Sequence, residues 1–210
     1  MRGCTGCLVA VVSVSLVALA LGGLVGAGLR MLATPEAAAL PPTTAADGSR
    51  AQQKIFDVAR ATRLAQPISL TEAEVNALLS RHLVEARGVR LNALGVRLIG
   101  DDRVELTGQA PLRQLLDEAG LSSAAPVLPA RWLERPVWID VGARVRVSSG
   151  ARRQLGLDVE HFAVGRQRLP ARALRLLLDP AAIGLLRWPL PEHVGGVSIE
   201  PGRVVIRGTS

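Results

Sequence analysis

The residues able to do chemistry are few, and they do not converge. Cys4 and Cys7 form a CxxC, half of a tetrahedral zinc site, and neither a second cysteine pair nor a nearby histidine supplies the other half. They read as two tail thiols, open to acylation. No apolar run leads up to them, which argues against a lipoprotein signal. His161 and His193 each follow a glutamate, Glu160 and Glu192. Neighbours on a strand point to opposite faces, so Glu160 is badly placed to orient His161 as a general base. His82 and Glu85 have the i,i+3 spacing of two helical ligands but no third in sequence, and a packed or half-exposed imidazole at the edge of an apolar stripe is the simpler reading of His82. Asp101-Asp102 is a turn signal before it is a calcium site. HExxH, GxSxG, Walker and GxGxxG patterns are absent after residue 30. The expectation is a non-enzymatic chain with no catalytic residues, no metal site and no cofactor. Arg144 and Arg146 share one strand face. They suit a solvated outer face or, alternatively, contact with anionic head groups or wall polymers.

Composition narrows the partners. Hydrophobic residues are 49% of the chain but aromatics only 2%, with no tyrosine, so a core must be built from Leu, Val, Ile and Ala. The net charge is +7, and Lys54 is the only lysine. An arginine and alanine bias of this kind can follow base composition in the gene, so the charge says little about partners. No block of consecutive basic residues stands out, none is interleaved with aromatics, and no nucleic acid is expected.

The elements that must position these groups begin with an apolar run. Residues 8–29 pass 22 positions without a charge, long enough to cross a hydrocarbon core of ~30 Å. Residues 1–7 are expected as a cytoplasmic tail, 8–30 as a transmembrane anchor, 31–49 as a Pro-, Ala- and Thr-rich spacer, and 50–210 as one extracytoplasmic α+β domain. Flanking charge favours the N-terminus inside. Length favours an uncleaved single-pass anchor, while Val25-Gly26-Ala27 offers a cleavage site as the alternative. Ala18, Gly22 and Gly26 recur every four residues, a spacing that lets helices pair and is also common in any such helix.

The domain is organised around residues 136–170. Val137, Ile139, Val141, Ala143, Val145 and Val147 alternate with Trp138, Asp140, Gly142, Arg144 and Arg146, a mostly polar face, and a second alternating run starts at Leu155, Leu157 and Val159. Together they predict an antiparallel hairpin. The apolar phase then switches from odd to even at Phe162 and Val164, which one extra residue near Glu160–His161 would produce: a β-bulge. A helix over 50–65 is expected, with Ile55, Phe56, Ala59 and Leu64 on its apolar side, stopped by Pro67. Thr71 and Glu74 form a capping box, with Leu70 and Val75 as its hydrophobic staple, ahead of a stripe of Val75, Leu78, Leu79 and Leu83. A second hairpin sets Leu94, Val96 and Leu98 opposite Val104 and Leu106 across Gly100-Asp101-Asp102. Residues 111–121 read as a short helix and 122–136 as an irregular crossing with a helical turn at Trp132. Residues 171–178 read as a leucine-rich helix broken at Asp179-Pro180. Pro201-Gly202 closes a terminal hairpin in a type II turn.

Ile68-Ser69-Leu70-Thr71 leading into Glu74-Val75-Asn76-Ala77-Leu78-Leu79, the stretch from Leu157 to Pro170, and Leu190-Pro191 with the last hairpin together resemble the YpmS-like family of membrane-anchored extracytoplasmic bacterial proteins. The resemblance spans much of 68–207, omits 112–135, and supplies no catalytic residues. Such proteins are similar to tubular lipid-binding domains, so it implies a curved antiparallel sheet packed on one or two helices, with an apolar groove. The strands would line that groove with Val137, Ile139, Val141, Val145, Leu155, Leu157 and Val164, and Leu174 and Leu177 would lie in a lid or plug. Val197, Ile199, Val204 and Ile206 are further aliphatic strand positions. Two functions are consistent with this: a carrier or sensor of a lipid-like ligand, or a cell-envelope scaffold that binds a partner protein by a sheet edge or a helix.

Overall fold

A computed structural model describes residues 26–35, 42–82, 93–118, 120–148, 153–170 and 187–209. The fold is α+β, and its pairings are antiparallel. Helix α1 covers Ala45–Arg60 and α2 Glu72–His82; α3 (Leu112–Glu118) and α4 (Ala130–Leu133) are short. The strands are β1 (Ile68–Thr71), β2 (Ala93–Gly100), β3 (Arg103–Pro111), β4 (Pro136–Ser148), β5 (Gln154–Val164), β6 (Gln167–Leu169), β7 (Arg187–Pro189), β8 (Val194–Glu200) and β9 (Arg203–Gly208). They form two sheets, not the one expected from sequence. A larger sheet runs β2-β3-β4-β5-β6 with β7 also on β5, and a smaller one runs β1-β9-β8. Val197, Ile199, Val204 and Ile206 therefore belong to the smaller sheet. The reason is β1, read from sequence as a lead into a helix, which pairs with β9 from Ile68↔Ile206 to Thr71↔Arg203.

The central hairpin forms as the alternation predicts, and the phase switch is a bulge. Gly142 pairs with His161 and Ala143 with Val159, leaving Glu160 as the extra residue. The bulge keeps Leu155, Leu157, Val159, Phe162 and Val164 on one face despite their change of parity. Gly165, at φ +57, then turns the chain into β6, which folds back on β5.

Helix α1 starts earlier than the composition of 31–49 suggests. Thr44 caps it, accepting from the Asp47 N–H while the Asp47 carboxylate accepts from the Thr44 N–H at 2.8 Å. It ends at Arg60, well before Pro67, and it buries a different face. Ala51 and Val58 are buried with Asp47, whereas Ile55 and Phe56 are exposed, Phe56 at 52%. Asp47, Ala51, Lys54 and Val58 recur at steps of four, three and four, and that stripe meets α2 and the smaller sheet. Phe56 instead lies under the Arg60 guanidinium, 4.9 Å from its ring centre.

Among the described residues, three apolar clusters make the core. One joins α1 and α2 to the smaller sheet through Ala51, Val58, Leu70, Val194 and Ile206. A second joins α2 and Ile199 to Val96, Leu98, Val104, Ala143 and Val145 of the larger sheet. Val75 and Val204 touch both, so α2 and β9 bridge the sheets. The third lies at the other end of the larger sheet, where Val137, Phe162 and Val164 pack with Leu112, Leu115, Met31 and Leu32.

Candidate functional site

The outer face of the larger sheet carries the charged groups, and they pair with one another. Arg144 Nε donates to Glu160 Oε1 at 2.7 Å, Arg146 Nε lies 3.0 Å from Asp158 Oδ2, and Arg97 Nη1 lies 3.3 Å from Glu105 Oε2. The Glu160 carboxyl is held below its ordinary value by the hydrogen bond from Arg144, and Arg144 is raised in return. Arg144 and Arg146 thus serve an ion-paired, solvated face. Glu160 does not orient His161, as the sequence implies. Asp140 lies within reach instead, its Oδ1 accepting from His161 Nε2 at 3.1 Å and its Oδ2 from the Thr107 hydroxyl at 3.0 Å. That row is readable only once the register sets Thr107 opposite Asp140. Its hydroxyl donates to the carboxylate rather than to the imidazole, so the row is not a nucleophile–base pair. The imidazole lies over Gly142, where any Cβ would collide with the ring. His193 Nε2 donates to the Val58 carbonyl at 2.7 Å, tying the turn just before β8 to α1. His82 ends α2; Glu85, Cys4 and Cys7 lie outside the described residues.

The inner face of the same sheet is aliphatic. Register sets Val141 between Leu106 and Phe162, Ile139 opposite Val164, and Val145 opposite Leu157. Of the expected groove residues, Val137, Val145 and Val164 are buried, while Ile139, Val141, Leu155 and Leu157 are half-buried. They share one face but belong to two clusters, Val145, Leu155 and Leu157 under α2 and the others near α3. Leu174 and Leu177 lie outside the described residues, as does the whole expected leucine-rich segment 171–186. The third cluster has an unexpected member. Residues 31–35, read as the start of a spacer, lie against the domain. The Arg30 carbonyl accepts from the Arg166 N–H at 2.8 Å, and the Thr34 carbonyl accepts from Arg166 Nε at 2.9 Å. Gly165 is required here twice, for its positive φ and because a Cβ would strike the Met31 carbonyl.

Two buried polar groups hold the frame, and sequence reading missed the buried roles of both. Glu74, 2% exposed, accepts from Lys54 Nζ at 2.8 Å through each carboxylate oxygen and from the Thr71 N–H at 2.8 Å. Lys54 also donates to the Ser69 carbonyl at 2.8 Å. Burial pushes the Glu74 carboxyl up, but Lys54, the Thr71 N–H and Arg50 outweigh it and leave it below the ordinary 4.5. Asn76, 3% exposed, faces the outer edge of β2. Its amide accepts from the Val96 N–H at 2.6 Å and donates to the Val96 carbonyl at 2.7 Å, as a neighbouring strand would. Glu72 accepts from the Leu98 N–H at 2.7 Å. Together they close the β2 edge. Asp102 joins the two sheets, its carboxylate accepting from the Ile199 N–H at 2.9 Å and its carbonyl from the Val145 N–H at 2.7 Å.

No group of three or more His, Cys, Asp or Glu with the geometry to hold a metal occurs among the described residues. Among them, too, no helix is long and apolar enough to cross a membrane; most of the 8–29 run lies outside them. No family model matches the chain, and no curated protein or solved structure matches it.

Proposed function

We propose that this chain is a non-enzymatic domain, tethered by residues 8–30 and standing outside the cytoplasm, that holds a lipid-like ligand against the apolar face of its larger, curved sheet. The observation that carries the reading is the middle of that face. Ile139, Val141, Leu157 and Val159 are all aliphatic and only half-buried, Leu157 at the margin of the cluster under α2 and the other three at the margin of the cluster near α3. At about 0.8 kcal/mol per buried methylene, roughly ten carbons of an acyl chain laid there would contribute about 8 kcal/mol, within the range of about 4–15 kcal/mol that association costs. Few polar groups point to this face, which suits chains of varied length more than one head group.

The scaffold reading has less support. The outer edge of β5 between its pairings with β7 and β6 is bulged at Glu160 and flanked by Asp158 and His161, features that deter strand addition. The β2 edge is already occupied by Asn76 and Glu72.

The test is native mass spectrometry of the detergent-purified full chain, with solvent extraction. A bound lipid-like mass is expected in the wild type. Leu157→Asp, at a half-buried position, is expected to keep its circular dichroism spectrum and lose that mass. A folded wild type that carries no such molecule, even after incubation with lipid, would overturn the reading.

A further inference from the structure

The tie between the apolar run and the domain fixes which end of the sheet meets a bilayer. The run's last residue is Leu29, and the next carbonyl, Arg30, is bonded to the turn between β5 and β6. If residues 8–29 cross a membrane, that turn sits within a residue or two of the head groups. The end of the larger sheet beside it comprises the start of β4, the end of β3, α3, α4 and β6. It is rich in arginine. Arg30, Arg113, Arg131, Arg135, Arg166 and Arg168 stand against Asp117, Glu118, Glu134 and, in the row of Arg168, Asp140, six cations to four acids. Arg131, Arg135 and Arg168 are exposed, while Arg113 is near Glu134 at 3.4 Å and Arg166 forms the tie. The far end has no such excess. There Asp101, Asp102, Glu160 and Glu200 stand among Arg103, Arg144, Arg203 and Arg207, four acids to four cations. Eight residues of β4 separate Pro136 from Arg144, roughly 26 Å at ~3.3 Å per residue. That exceeds a Debye length of about 8 Å, so a charged surface at one end would not sense the other.

We infer that the tethered end of the domain is a membrane-contact surface, in which Arg131, Arg135 and Arg168 meet anionic lipid head groups of the bilayer that holds the run. The inference rests on the proposed anchor and adds an orientation to it: the larger sheet stands with its arginine end down, and the apolar face opens beside the bilayer. Arginine suits the role because its planar fork pairs two phosphate oxygens at once. Each arginine near an anionic surface is worth about fivefold in affinity.

The test uses the full chain reconstituted into phosphatidylcholine vesicles, with or without phosphatidylglycerol, and hydrogen exchange read over 130–135 and 165–169. Slower exchange is expected in the anionic vesicles, relieved by added salt and absent in the Arg131→Glu, Arg135→Glu, Arg168→Glu variant. Salt relief in the wild type keeps the test sound should the variant fold poorly. Equal exchange in both vesicle types, with the chain resistant to alkaline carbonate extraction, overturns the contact surface and leaves the anchor standing. A chain that carbonate extracts overturns the anchor, and the surface with it.

Discussion

At the scale of single residues, the charge that matters most to the frame is on Glu74. Its carboxyl is depressed in the folded chain, with Lys54 and the Thr71 N–H as the stabilising partners. A depressed carboxylate contributes stability above its unfolded value, near 4.5, and that stability is lost as the pH falls through the folded value. Glu74→Gln should therefore lower the urea midpoint at neutral pH, and the gap from the wild type should close in acid as the native carboxyl protonates. A gap that persists unchanged at pH 3 would mean shape rather than charge is at issue. Only part of this was legible. Thr71 and Glu74 announced a capping box by their spacing, and the box is there, the Thr71 hydroxyl accepting from the Glu74 N–H at 3.3 Å. That the same carboxylate would be buried against Lys54, on another helix, depends on how α1 packs, which no local spacing encodes. The α1 face misled for a related reason. Ile55 and Phe56 are the most apolar residues of the helix, yet the inward stripe is set by Ala51 and Val58, small enough for α2 to approach.

At the scale of elements, structure written in a period of two was readable, and the joining of distant segments was not. The hairpins, the Asp101-Asp102 turn with both residues at positive φ, the Pro201-Gly202 turn and the bulge all left local marks in the sequence. The bulge is the most exposed to test. Removing Glu160 sets Val159 and Phe162 two positions apart, so Leu155–Val159 and Phe162–Val164 fall in one phase and pair with β4 in the same register without the extra residue. The deletion variant should therefore keep cooperative unfolding, as should Glu160→Ala, which keeps the residue count; loss of cooperativity on deletion alone would show that the bend at the bulge, and not the phase of the side chains, holds the sheet. The pairing of β1 with β9 spans most of the domain and left no mark in sequence. The service of Asn76 to β2 is similar, a side chain reaching backbone twenty residues away. Asn76→Ala leaves the Val96 N–H and carbonyl buried without partners, at about 1–3 kcal/mol for each unsatisfied group. A loss of roughly 2–5 kcal/mol by urea denaturation is expected. A loss below about 1 kcal/mol would show that water replaces the amide.

At the scale of the whole molecule, the question is how firmly the leading segment belongs to the domain. The bonds to Arg30 and Thr34, the packing of Met31 and Leu32 on the third cluster, and the room left by Gly165 all converge on one turn. The clusters that join α1 and α2 to the two sheets lie elsewhere and share no residue with it. A change at this turn should therefore release the leading segment without unfolding the rest, as a local opening rather than a global one. Gly165→Val makes such a change. It places a β-branched side chain at a positive φ and into the Met31 carbonyl, so the tie cannot close as it stands. Trypsin reports the result directly, because the bond after Arg30 carries the carbonyl that Arg166 holds. In detergent, the variant should be cut after Arg30 at least several-fold faster than the wild type, while its urea midpoint moves little. If cleavage is unchanged, the segment is held by Met31 and Leu32 packing alone. If the midpoint falls as far as for Asn76→Ala, the third cluster is part of the same cooperative unit as the other two, and the tether cannot move independently of the sheet.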